Sequence, residues 1–229
     1  MGVLPGKDEA TLAQVNAGRS LKTLVGTADA TILIDNDVWK SSAESLSEGY
    51  ASINQEIARR FGLLLAAGEV TEGVGESVVD SSEVINTLRG GGMAAFGYHR
   101  LPAAEQASDN INTIMTATRS ALRSSLSLSG EVTGDKALLV VAGEADRISR
   151  KGVEKSRRWV EDETGSMQVR GGDFPLQSDS LASLVLIGDI DASERVEQLL
   201  ERAKEAAAAP TEPQEADKLF QNTDLDGLL

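Results

Sequence analysis

Cysteine is absent from this chain, and histidine occurs once, as His99. Disulfides, thiolate metal sites and cysteine nucleophiles are excluded together, and one imidazole excludes a His-rich metal centre. His99 reads as an ordinary loop or strand-end residue. Aromatic residues make up 3% of the sequence, so the core has to be built from Leu, Ile, Val and Ala. Positive charge is scarce as well: 22 Lys and Arg stand against 36 Asp and Glu, a formal net charge of −14. That balance provides no broad cationic patch to release phosphate counterions, which argues against nucleic acid as a partner. It also disfavours anionic membrane surfaces. Long apolar runs are missing too. Residues 63–67, 137–142 and 184–187 are the longest, far short of the roughly 18 that span a bilayer. The start of the chain has neither an apolar h-region nor a basic n-region, so a cytoplasmic protein is expected.

What is present points to a folded domain. The sequence is 229 residues long and 41% hydrophobic, enough for one large domain or two modest ones that bury roughly 70% of the unfolded surface. Acidity with few aromatics can signal disorder, but here the apolar residues are strongly periodic. An acidic, lysine-poor surface also suits a salt-rich interior, because the Debye length falls to about 3 Å at molar salt. Insensitivity of stability and assembly to potassium chloride would remove that habitat reading.

Along the chain, Gly2–Leu4 reads as the end of an apolar strand and residues 10–24 as a helix. A short β-branched strand, 31–34, runs into Asp35-Asn36-Asp37, a polar strand end or turn. Residues 42–67 form a long helix with Leu46, Tyr50, Ile53, Ile57, Phe61 and Leu64 on one stripe. Glu56 and Arg60 add an i,i+4 pair. After a glycine-rich loop, residues 69–75, a short helix covers Ser81–Leu88 and ends at Gly90-Gly91-Gly92. Strands are expected at 93–98, 137–142, 167–170 and 181–187. Helices are expected at 103–126, 150–163 and 193–209, the last with Ser193 as N-cap. Residues 210–229 break the pattern and read as a disordered acidic tail with an apolar end. The class is α/β followed by α+β.

Two carboxylates carry the most pointed chemistry. Asp80 stands where the short helix begins, and Glu83 follows three residues later. An Asp form of the capping box accounts for both, with Asp80 accepting the Glu83 amide and Glu83 reaching back. The same arrangement sets two acids at a helix N-terminus, able to orient a water or hold a cation. Gly90-Gly91-Gly92 follows a helix instead of joining a strand to one, so it is a turn and not a phosphate loop. Arg147, Arg150, Lys151, Lys155, Arg157 and Arg158 form the one basic cluster, read as a solvated helix face paired with Glu154, Glu161 and Asp162.

Several segments, taken in order, resemble the tubulin/FtsZ superfamily, and most nearly its archaeal CetZ family: Leu4-Pro5-Gly6-Lys7-Asp8-Glu9, Ile34-Asp35-Asn36-Asp37-Val38-Trp39, residues 50–57 and 61–70, 76–97, 137–143 and 165–175. The resemblance implies the rear part of a Rossmann-like GTPase domain with the central helix (1–68), an α+β C-terminal domain (69–209) and the tail (210–229). It places Glu9 at the ribose, Asn36 near the nucleotide and Asn54 on the guanine edge, where an amide can donate and accept in one plane. It gives Asp80 and Glu83 the task of positioning water at the γ-phosphate of GTP held by the next subunit in a filament. GTP, becoming GDP, with Mg2+ accompanying it in the complete protein, is the implied cofactor, and self-association into filaments the implied partnership. The tail is a further possible protein-binding segment.

Two departures bear on rate. Val78 stands where the bacterial branch has Asn, and the second acid is Glu rather than Asp. The family's N-terminal phosphate-binding loops find no match, so this chain alone is expected to bind GTP weakly or not at all. Two competing readings remain at this point: a non-enzymatic half-molecule that caps or modulates filaments, and an unrelated α/β protein using the two acids for a metal.

Overall fold

A computed structural model describes residues 1–39, 46–69 and 79–208. Six strands form one sheet in the order β1-β2-β3-β6-β4-β5. They are β1 (Gly2–Leu4), β2 (Thr31–Asp35), β3 (Met93–Pro102), β4 (Val132–Gly143), β5 (Gln168–Pro175) and β6 (Ser180–Ser193). Pairing is parallel for β1–β2, β2–β3 and β4–β5, and antiparallel where β6 meets β3 and β4. The helices are α1 (Thr11–Thr27), α2 (Asn36–Trp39), α3 (Leu46–Gly68), α4 (Ser81–Leu88), α5 (Ile111–Arg123), α6 (Arg150–Thr164) and α7 (Glu194–Ala208).

The apolar runs are central strands buried on both faces, which is why they read as continuous rather than alternating. Successive side chains of β4 go to opposite cores: Ala137, Leu139 and Val141 to one, Leu138 and Val140 to the other. β6 divides its residues likewise, Val185 and Ile187 from Leu184 and Leu186. The first core is closed by α1, α5, α6 and α7, the second by α3 and α4. In the second, Phe61 of α3 meets Phe96 of β3 edge to face at 5.0 Å.

The stripe on α3 is confirmed for Ile53 and Leu64, which are buried, and for the half-buried Ile57 and Phe61. The Glu56–Arg60 pair forms at 2.6 Å, but its cation is 1% exposed. Arg60 also donates to the Ser125 carbonyl and lies over the Tyr98 ring. It therefore anchors α3 to the sheet instead of decorating a surface, and burial lowers its pKa against the pull of Glu56.

Three expectations change. The helix expected over 103–126 begins only at Ile111, because β3 continues to Pro102 and the buried Asn110 organises the connection. Asn110 accepts from the Ala104 amide and donates to the carbonyls of Ala104 and Arg147, contacts that hold residues 104–110 in a bend closed by a single 3-10 turn, Ala107–Asn110, ahead of α5. His99 sits within β3, opposite Ser183. On α6, Lys151, Lys155, Arg157 and Arg158 have no ion pair among the described residues, and Arg147 pairs with Glu144. For these residues the expected pairing with Glu154, Glu161 and Asp162 is not made. The disordered-tail reading of 210–229, the glycine-rich loop and the first residues of the long helix lie outside the described residues.

Candidate functional site

The carboxyl ends of β1 and β2 lie side by side, with Leu4 opposite Asp35. In open α/β sheets that edge is where ligands bind. Glu9, in the turn after β1, and Asn36, the first residue of α2, are brought together there. Glu9 Oε1 accepts from the Gly6 amide at 2.7 Å and from Asn36 Nδ2 at 3.3 Å. Glu9 Oε2 has no protein partner among the described residues. The loop is further tied by the Lys7 amide donating to Asp37 Oδ2 at 2.8 Å and by the Gln14 side chain donating to the Gly6 carbonyl at 2.6 Å.

Beneath this edge lies a feature that sequence reasoning missed. Asp35 accepts from Arg195 Nε at 2.9 Å and from the Ser129 hydroxyl at 2.7 Å. Arg195 also donates to the Pro5 carbonyl at 2.5 Å. The loops after β1 and β2 are thus held from below by one side chain of α7. A signal was available: Arg195 is the second residue of its helix, where the macrodipole disfavours a cation, so a tertiary partner was to be sought. Asn54 is exposed on α3, and no hydrogen bond joins it to Glu9 or Asn36.

Asp80 is the N-cap of α4. Its Oδ1 accepts from the Glu83 amide at 3.0 Å and from the Ser82 hydroxyl at 2.5 Å. Oδ2 has no protein partner among the described residues. The Ser82 hydroxyl, then the Glu83 amide, hold the Asp80 carboxyl below the ordinary aspartate range. Glu83 shifts the other way, raised by burial and then by the negative charge of Asp80. Oppositely shifted neighbouring acids are how one site keeps two carboxyls in different roles. The positive charge of Arg170 in β5 draws both pKa values down, an influence the sequence does not announce.

The rest of the segment explains why α4 sits where it does. Val79 is fully buried and its amide donates to the Asp173 carbonyl of β5 at 3.3 Å. At the other end, Arg89 ends the helix in extended conformation and Lys136 of β4 donates to its carbonyl. The glycines form the turn: Gly91 and Gly92 have φ of 87° and 71°. Gly188 of β6 permits close approach, since a Cβ there would lie 2.2 Å from the Thr87 carbonyl oxygen.

A six-stranded mixed sheet, a long helix across one face and a capped acidic helix start define a tubulin/FtsZ-type fold. An FtsZ dimer structure from M. jannaschii superposes with a TM-score of 0.61 at 18% identity, over 81% of this chain and 52% of that one. Residues 43–205 match the family model for the C-terminal domain of tubulin-like CetZ, and the chain belongs to the CetZ family. The tubulin-like protein CetZ2 of Haloferax volcanii is 62% identical over 231 residues, covering 100% of this chain and 64% of that protein. A structure of that CetZ2 as a GTPγS-bound protofilament gives a TM-score of 0.84 at 61% identity, over 90% of this chain and 60% of that one. The chain thus spans 64% of the length of CetZ2. Family membership removes the reading as an unrelated metal-using protein.

Proposed function

We propose that this chain is the part of a CetZ-type cytoskeletal GTPase that reads the nucleoside half of its own GTP and acts on the phosphates of a neighbour's. The observation that carries this is the Asp80–Glu83 cap, where one Asp80 oxygen is engaged by the fold and the other has no partner among the described residues. Asp80, kept ionised, would accept a hydrogen bond from the attacking water through Oδ2. Glu83, its pKa raised by burial and by the charge of Asp80, is the better proton carrier of the two. Attack forms the water oxygen–Pγ bond and breaks the Pγ–O bond to GDP, so positioning and charge do most of the catalysis.

Glu9 fits a ribose in the same manner, with Oε2 available to hydroxyl donors. Asn36, fixed by Glu9, and Asn54 would complete the nucleoside contacts. Mg2+ would arrive with the phosphates. That the relative CetZ2 has been seen as a GTPγS-bound protofilament supports assembly around bound nucleotide; hydrolysis between subunits, with filaments serving cell shape in the cytoplasm, completes the proposal. Residues 1–68 would then belong to the nucleotide domain and 69–209 to the C-terminal domain.

The test is Asp80→Ala in the complete protein. GTP turnover falls by about two orders of magnitude, as for loss of a catalytic base, while nucleotide binding holds. Unchanged turnover sinks the assignment.

A further inference from the structure

Between α1 and α7 runs an apolar groove of about 530 Å³, within the usual size of ligand pockets. Val15, Leu21 and Val25 line it from α1, and Val196, Leu200 and Ala207 from α7. Three cations stand along it: Arg19 and Lys22 on α1, Lys204 on α7. Lys204 pairs only with Glu201 of its own helix, at 3.3 Å. Arg19 and Lys22 have no ion pair among the described residues. Unpaired cations beside an apolar surface are unexpected in a chain of net charge −14, and they call for an acidic, apolar occupant.

We propose that the occupant is this chain's own C-terminal segment, residues 215–229, seated with Leu219 and Phe220 on the apolar floor and its acids along the cationic rim. Four observations favour it. Ala207 of α7 lines the groove, so the chain that follows α7 is tethered to one side of it. Pro210 and Pro213 follow at once, residues that disfavour continuation of a helix.

Reach is sufficient. The stretch from Ala208 to Leu219 extends up to roughly 37 Å, against about 22 Å for the 15 residues of α7.

Composition is complementary. Glu215, Asp217, Asp224 and Asp226 outweigh Lys218, and Leu219, Phe220, Leu225, Leu228 and Leu229 are apolar. Opposite charges on the two surfaces fix register and exclude other occupants. The seated segment ties α1, which follows the nucleotide-edge strand β1, to α7, which carries Arg195.

The chain has no cysteine, so an introduced pair reports only on itself. The full chain carrying Lys22→Cys with Phe220→Cys is treated with a short bismaleimide, which tolerates small errors of register. The control pairs Phe220→Cys with Met167→Cys, which is 84% exposed beside β5 at the far edge of the sheet. The groove pair is expected to cross-link within one chain at least about tenfold faster, as a docked segment has a high effective concentration. Adding Arg19→Glu and Lys204→Glu should slow it several-fold. Equal rates for the two pairs overturn the proposal, as does absence of cross-linking. Covalent dimers in place of intramolecular product overturn it too, because the segment then seats on a second copy.

Discussion

Asp35 and Arg195, 160 positions apart in the chain, form an ion pair of 2.9 Å in which the two side chains are 0% and 1% exposed. The pair sits under the loops that carry Glu9 and Asn36, so a helix distant in sequence sets the floor of the candidate nucleotide edge. Arg195 Nη1 is buried without a partner among the described residues, which adds to the desolvation the pair has to offset.

Removing one member leaves the other charge buried alone. Arg195→Met is expected to lower unfolding free energy by about 3–5 kcal/mol. The double variant Arg195→Met with Asp35→Asn should recover much of that loss, since no net charge stays buried. Denaturant midpoints of the wild type, the two single variants and the double variant measure the coupling.

Glu83 yields a pH-dependent stability prediction. Its folded pKa is raised, so its contribution is fully present below the ordinary glutamate value and is lost as pH rises through the folded pKa. Glu83→Gln has no such loss. The variant should melt higher than wild type at pH 7, and the difference should shrink toward zero as both are acidified. Thermal melts across that range check it, and a constant difference would contradict the shift. Asp80 acts in the opposite sense: lowered in the fold, it stabilises above the unfolded value and loses that contribution as pH falls through the folded one.

Gly188 tests the seating of α4. Gly188→Ala places a methyl 2.2 Å from the Thr87 carbonyl oxygen, so α4 and β6 have to part. A loss of about 1–3 kcal/mol is expected, together with slower GTP turnover in the complete protein and little change in nucleotide affinity. Turnover equal to wild type would show that α4 tolerates displacement.

Glu9 is predicted to discriminate by hydroxyl. Glu9→Gln in the complete protein should weaken GTP by about tenfold, in line with roughly 1.5 kcal/mol for a charge-assisted hydrogen bond. A deoxyribose analogue lacking the contacted hydroxyl should lose little further affinity. Full additivity of the two losses would place Glu9 away from the ribose.

Much of the fold was legible because its signals are local. Residues 137–142 read as a strand from an unbroken apolar run, and Asp80 as a cap from its place before a periodic segment. Glu9 and Asn36 were chosen through a family resemblance, and the structure shows them in contact; nothing in their spacing of 27 positions foretold it. The start of α5 differs from expectation because β3 runs on to Pro102 and the side-chain bonds of Asn110 hold the connection as a bend and one 3-10 turn instead of a continuous α-helix. Arg195 was passed over because its partner comes from the other end of the chain. Arg170 was overlooked because strand pairing, not sequence proximity, carries it to the acids.

The division of labour within the Asp80 carboxyl, Oδ1 to Ser82 and Glu83 and Oδ2 to no protein group among the described residues, has a practical corollary. An amide presents one oxygen and one nitrogen in the same plane, so Asp80→Asn can keep the helix start while turning the remaining acceptor into a donor. Folding and chemistry, joined here in three atoms, become separable by exchanging a single oxygen for nitrogen.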